Sequence, residues 1–254
     1  MPALFIGHGS PMNTLEVNPY TIAWRELGAA LPRPRAILAI SAHWYIAATA
    51  VTSMAKPRVI HDFYGFPPEL FAFDYPAPGS PELAEQVADV AKPVWVGSDA
   101  DSWGVDHGTW SVLAHLFPQA DIPVVQLSID ASKDFDYHFD LGRRLTPLID
   151  DGVLIVASGN VVHNLARMDF GFFDKGFDWA RRFDDAARAA MTSDPASALS
   201  MTRHPDFPAA APTPDHFLPL MYLAGIADAL GRPAESLTEG YVVGSLSMTS
   251  YRVG

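Results

Sequence analysis

Four histidines sit where short apolar runs meet turns rich in glycine, serine and proline: His8 in ALFIGHGSP, His43 in AILAISAHW, His163 in VLIVASGNVVHN and His216 in TPDHFLPLMYL. Imidazole nitrogens gathered at strand ends can hold a zinc or a non-haem iron ion. The chain has no cysteine, so only nitrogen or oxygen atoms could do this. His107, in the sequence DHGTW, is a fifth candidate. The other four histidines, His61, His115, His138 and His204, lack a comparable setting and read as loop, surface or helix residues.

Each candidate has a physical argument behind it. His8 and His43 each follow a run that reads as a buried parallel strand, and neighbouring strands end about 5 Å apart. His216 precedes an apolar helix, whose dipole disfavours a proton on the ring and favours the neutral form a metal needs. His163 follows the Ser158-Gly159-Asn160 turn and reads as a fourth ligand or a base beside the metal. Asp106 could orient His107. Structural zinc usually recruits cysteine, whereas three protein ligands leave open positions for Lewis-acid hydrolysis or oxygen chemistry. No HExxH is present, and Glu16, Asp62 and Asp106 are the acidic residues nearest these motifs. From the residues alone the reading is a mononuclear metal enzyme.

The elements that must position these residues alternate in type. Strands are predicted at Ala3–Ile6, Ala36–Ile40, Ala48–Met54, Val94–Val96, Pro123–Ile129 and Val153–Ala157. Helices are predicted at Pro19–Leu31, Pro81–Ala91, His107–Phe117, Lys133–Ile149, Phe177–Met191 and His216–Leu230. Tyr241–Val253 reads as an edge strand or hairpin. This alternation predicts an α/β fold, with a mostly parallel sheet covered by helices on both faces. No linker divides the chain, so residues 1–254 read as one catalytic domain. The proline- and aromatic-rich stretch from His61 to Gly79 reads as an ordered loop, equally a pocket wall or simple packing.

Composition narrows the function further. A chain of 254 residues buries roughly 70–75% of its unfolded surface and needs no staples. A net charge of −12 argues against nucleic acid, and no basic run suits an anionic membrane. Ala36–Ala55 carries no charged residue, but its serines, threonines and histidine fit two strands better than a membrane span. Met1-Pro2-Ala3-Leu4 runs straight into a predicted strand with no basic leader, and a cytoplasmic protein is the expectation. GxGxxG, GxxxxGK[ST] and GxSxG are absent, which removes the usual support for nucleotide binding and α/β-hydrolase chemistry.

Taken in order, GHGSPM, SAHW, DHGTW, PVVQLSID, SGNVVHNL and PDHFLPL resemble the DOPA-type extradiol dioxygenases, in the class III extradiol ring-cleavage family. The resemblance spans nearly the whole chain. It implies oxidative opening of a catechol, DOPA-like, beside one hydroxyl with molecular oxygen. It also implies a metal held by His8, His43 and His216, with His163 as fourth ligand or acid/base and His107 in contact with substrate or oxygen. Many extradiol enzymes use two histidines and a carboxylate on Fe2+; here His216 takes the third position and Asp215 stands beside it. An all-imidazole set suits Zn2+ as well as Fe2+, but zinc has no redox chemistry, so oxygen chemistry calls for Fe2+. The readings that compete are a zinc-dependent hydrolase, a non-catalytic metal-binding protein on the same fold, and histidines that only pack.

Overall fold

The computed structural model describes residues 1–254. The chain opens with β1 (Ala3–Gly7), α1 (Pro19–Ala30), β2 (Ala36–Ile46), β3 (Ala50–Thr52) and β4 (Arg58–Val59). Next come α2 (Pro68–Phe71), α3 (Pro81–Val90), β5 (Gly97–Asp99), β6 (Gly104–Val105) and α4 (His107–Leu116). The middle holds β7 (Val124–Asp130), α5 (Phe135–Leu145), α6 (Pro147–Asp150), β8 (Val153–Gly159) and α7 (Asp178–Ser193). The chain closes with α8 (Phe207–Ala210), α9 (Leu218–Leu230), β9 (Glu235–Thr238), β10 (Tyr241–Val242), β11 (Leu246–Ser247) and β12 (Ser250–Val253).

Eight strands form one sheet in the order β5-β3-β7-β2-β8-β1-β12-β9. The central pairs β7–β2, β2–β8 and β8–β1 are parallel, and the β1–β12 and β12–β9 pairs are antiparallel. Strand side chains alternate between faces, so the apolar run of each central strand feeds two cores. Phe5, Leu38, Ile40, Leu127 and Ile155 pack into the larger core, with α5, α7 and α9. Leu4, Ile6, Ile37, Ala39 and Val156 pack into the smaller one, with Trp24 of α1 and Trp110 of α4. The sheet is therefore covered on both faces, as the alternation of elements predicts. No helix is long and apolar enough to cross a membrane.

Several expectations need correction. The strands bearing His8 and His43 are not neighbours, because β8 lies between β1 and β2. β2 does not stop at Ile40: it runs on to Ile46, with a register shift between Ile40 and Tyr45, so His43 lies inside the strand. Val94–Val96 is not a strand. The amide of Val94 still bonds the carbonyl of Ala91 in the turn after α3, and pairing starts at Gly97. Pro147 ends one helix and starts another within the predicted Lys133–Ile149 helix, because it cannot donate a backbone bond. α9 starts at Leu218, with Pro219 in its first turn, so His216 precedes the helix. The tail holds the expected hairpin, β10 paired with β11, but its strand β12 is interior rather than at the edge, and β9 forms the edge beside it.

Candidate active site

The parallel strands β1, β2 and β8 end together. Ile6 and Ser41 both pair in register with Ser158, so the residues just beyond them emerge from one rim of the sheet. His8 leaves β1 there, its amide bonded to the carbonyl of Gly159 at 3.0 Å. His43 projects from the irregular part of β2, where its amide bonds Ser41 Oγ at 3.2 Å. His107 opens α4, which Asp106 caps by accepting from the amide of Thr109. His163 follows β8 and is tied by its amide to the carbonyl of Ala210 at 2.8 Å. His216 precedes α9, and its carbonyl accepts from the amide of Asn160 at 2.9 Å.

Two glycines let these segments meet. A Cβ on Gly159 would stand 2.2 Å from the carbonyl oxygen of His216, which is backbone and has nowhere to go. A Cβ on Gly108 would stand 2.7 Å from the ring of His43. Any larger residue at either place would push a histidine segment away from the centre.

The structure brings all five candidate histidines together. The Nε2 atoms of His8 and His43 are 3.3 Å apart. Nitrogens of His8, His43 and His107 lie within 4.8 Å of one another. The ring centroids of His8, His43 and His216 form a nearly equilateral triangle with sides of 5.2, 5.3 and 5.1 Å. His107 is closer to His43, at 3.8 Å between centroids. His163 stacks flat on His216, with centroids 3.5 Å apart and planes 4° from parallel.

The Nδ1 atoms of four of these rings are engaged from behind. His8 Nδ1 is 2.9 Å from Ser158 Oγ. That hydroxyl gives its one proton to the carbonyl of Gly108 at 2.5 Å, so it must accept from His8. His43 Nδ1 and His107 Nδ1 lie 3.0 and 2.8 Å from the two oxygens of Asp62. His216 Nδ1 bonds the carboxylate of its neighbour Asp215. With the proton on Nδ1, each ring presents the lone pair of Nε2. Two such lone pairs facing each other at 3.3 Å repel unless a proton or a metal ion lies between them, and a divalent metal meets that need. Metal-binding histidines are commonly oriented by such outer hydrogen bonds.

The electrostatics of the site follow from burial and these partners. Burial, then the neighbouring imidazoles His43, His216, His107 and His163, hold His8 well below the usual histidine range. Burial and the His216 ring bring His163 down to about 2. Burial brings His216 down to about 4 against the pull of Asp215. Burial, then His43, lowers His107 even though Asp62 opposes the shift. His43 alone is raised: burial pulls it down, but Asp62, Asp106 and Asp215 together outweigh that. Burial alone would raise the Asp62 carboxyl, yet its bonds to His107 and His43 hold it well below the usual carboxylate range.

Sequence reasoning named Asp62 and Asp215 near the motifs but gave neither an outer-partner role. Asp62 sits in the His61–Gly79 loop, 45 residues from His107, and its local sequence does not show which rings it reaches. Asp106, the sequence candidate for orienting His107, caps α4 and takes bonds from Gln126 and Trp103 instead. Asp215 carried a signal in its adjacency to His216; Ser158 carried one only as part of the turn. The aromatic loop supplies one wall, where the Phe63 ring stands edge-on to His107 at 5.4 Å. His61, His115, His138 and His204 lie outside the cluster. His115 uses both ring nitrogens, on Arg25 and on the carbonyl of Asn13.

The chain resembles known proteins over its whole length. The family described as the catalytic LigB subunit of aromatic ring-opening dioxygenase matches residues 7–254. The 4,5-DOPA dioxygenase extradiol of Escherichia coli K12 is 47% identical over 258 residues, covering 100% of this chain and 95% of the relative. The 4,5-DOPA dioxygenase extradiol of Beta vulgaris is 36% identical, covering 98% of this chain and 94% of the relative. The crystal structure of the uncharacterized protein JW3007 from Escherichia coli K12 superposes with a TM-score of 0.87 at 43% identity, covering all of both chains. A family match across residues 7–254, joined to a strand-end histidine cluster fit for a metal, makes this chain a member of the class III extradiol dioxygenases and an aromatic ring-opening dioxygenase.

Proposed function

We propose that the protein opens a DOPA-like catechol ring beside one hydroxyl, using molecular oxygen, with Fe2+ as the working metal and His8, His43 and His216 as its ligands. The triangle of rings with sides of 5.1–5.3 Å supports the ligand set, while the nitrogens that already lie within 4.8 Å of one another are those of His8, His43 and His107. Three imidazoles bound tetrahedrally at about 2.0–2.1 Å from one ion place their centroids about 5 Å apart. His43 and His107, at 3.8 Å, are too close for both to bind one ion in tetrahedral or octahedral geometry. That spacing supports giving His107 the contact with substrate or oxygen. When bound, Fe2+ supplies a Lewis acid that gathers the catechol oxygens and the electron transfer that Zn2+ lacks.

The remaining residues do proton and positioning work. His163 is neutral across the physiological range, and its neighbours act on it through charge rather than through a hydrogen bond. A neutral imidazole with a free nitrogen can take the proton that a catechol hydroxyl releases and return it as the ring opens. Its stacking on His216 fixes the ring plane beside the ligand set. His107, its Nδ1 on Asp62, presents Nε2 to the same space. Phe63 gives a flat substrate an apolar edge. Residues 1–254 act as one catalytic unit, since the first strand of the chain pairs with the last. The named activities of the Escherichia coli and Beta vulgaris relatives support DOPA as the first substrate to try.

The test is oxygen uptake after stripping the protein and reloading it anaerobically with Fe2+ or Zn2+ in parallel. The expected result is uptake with DOPA and a yellow ring-opened product in the iron sample alone. Equal turnover with zinc and no oxygen consumed would overturn the reading.

A further inference from the structure

We infer that Asp62 is a positioning residue that sets the tautomers of two site histidines at once, linking metal binding to turnover through one carboxylate. The inference rests on the ligand set proposed above. Asp62 Oδ2 lies 3.0 Å from Nδ1 of His43, and Oδ1 lies 2.8 Å from Nδ1 of His107. Oδ1 also accepts from the backbone amide of His107 at 3.1 Å. No other acidic side chain faces the Nδ1 atom of either ring. Both rings therefore keep their proton on Nδ1 and turn Nε2 toward the centre, where His43 holds the ion and His107 faces the reactants.

The two oxygens are not equivalent, and this yields a distinguishing prediction. An asparagine has one acceptor and one donor. Its carbonyl belongs at the Oδ1 position, where two donors from His107 converge, so its amide NH2 falls against Nδ1 of His43. His43 then gives up its Nδ1 proton, accepts from the amide, and carries a proton on Nε2, the atom that must bind the metal. Asp62→Asn is thus a selective lesion of His43, whereas Asp62→Ala releases both rings.

Three readouts separate this role from a merely structural one. Chelator competition on the apoprotein gives metal affinity, kcat is taken at saturating metal, and nitrogen NMR of histidine-labelled protein reports which ring nitrogen holds the proton. For Asp62→Asn we expect affinity to fall about 10–100-fold, the usual cost of losing an outer partner. At saturating metal kcat should fall less than in Asp62→Ala, because His107 keeps an acceptor, and one ring should switch its proton to Nε2. For Asp62→Ala we expect the same loss of affinity together with a roughly 100-fold loss of kcat. Added formate should restore both, since Asp62 is partly open to solvent. An Asp62→Asn protein with wild-type affinity and no tautomer switch, or an Asp62→Ala protein that formate leaves unchanged, overturns the inference. His43→Ala is the control on the ligand set: wild-type metal affinity in that variant refutes the ligand set itself. Loss of metal there, with Asp62→Asn unaffected, refutes only the role of Asp62.

Discussion

Asp62 and Asp184 are both aspartates withdrawn from water, and they meet opposite fates. Asp62 faces two imidazoles, each of which brings a donor, and its carboxyl stays far below the usual range. Asp184, on α7, faces only hydroxyls: Thr249 Oγ1 at 2.7 Å and Tyr241 at 3.2 Å, both on the same oxygen, with the Ser247 hydroxyl nearby also favouring the charged form. Its other oxygen and the buried hydroxyl of Tyr251 have no hydrogen-bond partner within the chain. Burial consequently pushes its carboxyl up to about 6. The two clusters are joined by the C-terminal segment. Ser247 Oγ accepts from the amide of Val162 next to His163, and Ser250 Oγ accepts from the amide of Gly7 next to His8. In one buried cluster four of the five rings are paired on their outer side and open toward the centre, while the other has polar atoms left over. The first arrangement suits binding an ion; the second is a cost to stability.

The largest effect that tests this contrast comes from the first cluster. His8→Ala or His43→Ala removes one corner of the ring triangle, and we expect metal content to fall to background with turnover lost alongside it. Metal analysis after equilibrium dialysis reads this directly. Full occupancy in either variant would show that the missing ring is not needed to hold the ion, and would remove the distinction between the clusters.

The next effect separates ligand from acid/base within the same cluster. His163→Ala should keep its metal and lose about 10²–10⁴-fold in kcat, the usual range for a proton-transfer group. His216→Ala should lose the metal instead. If His163→Ala also lost it, His163 would join the ligand set as a fourth member.

Much of this cluster was legible in the sequence, and the reason is local. Each of His8, His43, His163 and His216 adjoins an apolar run long enough to declare its element, and a tight turn fixes where the next residue points. The alternation of elements likewise revealed the covered sheet. What escaped notice depended on distance along the chain. β8 inserts between the strands of His8 and His43, a topological fact that no local pattern carries. Asp62 reaches His43 and His107 from an irregular loop whose path is set by Phe63, Trp110 and Phe73 packing together. His43 itself lies within a longer strand than predicted, because the register shift lets β2 resume pairing beyond the site. Asp184 stands beside the exposed Asp185 in α7, and nothing in the local sequence tells the two apart. The structure buries Asp184, because Tyr241 of β10 and Thr249, just before β12, fold back over that side of α7.

The smallest effect tests the second cluster and has a definite sign. The carboxyl of Asp184 titrates near 6 in the folded chain and near 3.9 when unfolded. Between those values the folded state holds more protons, so stability falls as pH rises through about 4 to 6 and then levels off. Asp184→Asn removes the ionisation and keeps the shape. It should melt with wild type near pH 4 and above it at pH 7, by about 1–3 kcal/mol, or about 2–4 °C for each kcal/mol in a chain of this size. Comparing the two proteins at each pH cancels any metal release common to both. A difference in melting temperature that stays constant from pH 4 to 7 would mean that Asp184 titrates alike in the folded and unfolded chains. The leftover polar atoms would then cost the fold nothing that depends on charge, and the contrast with Asp62 would rest on geometry alone.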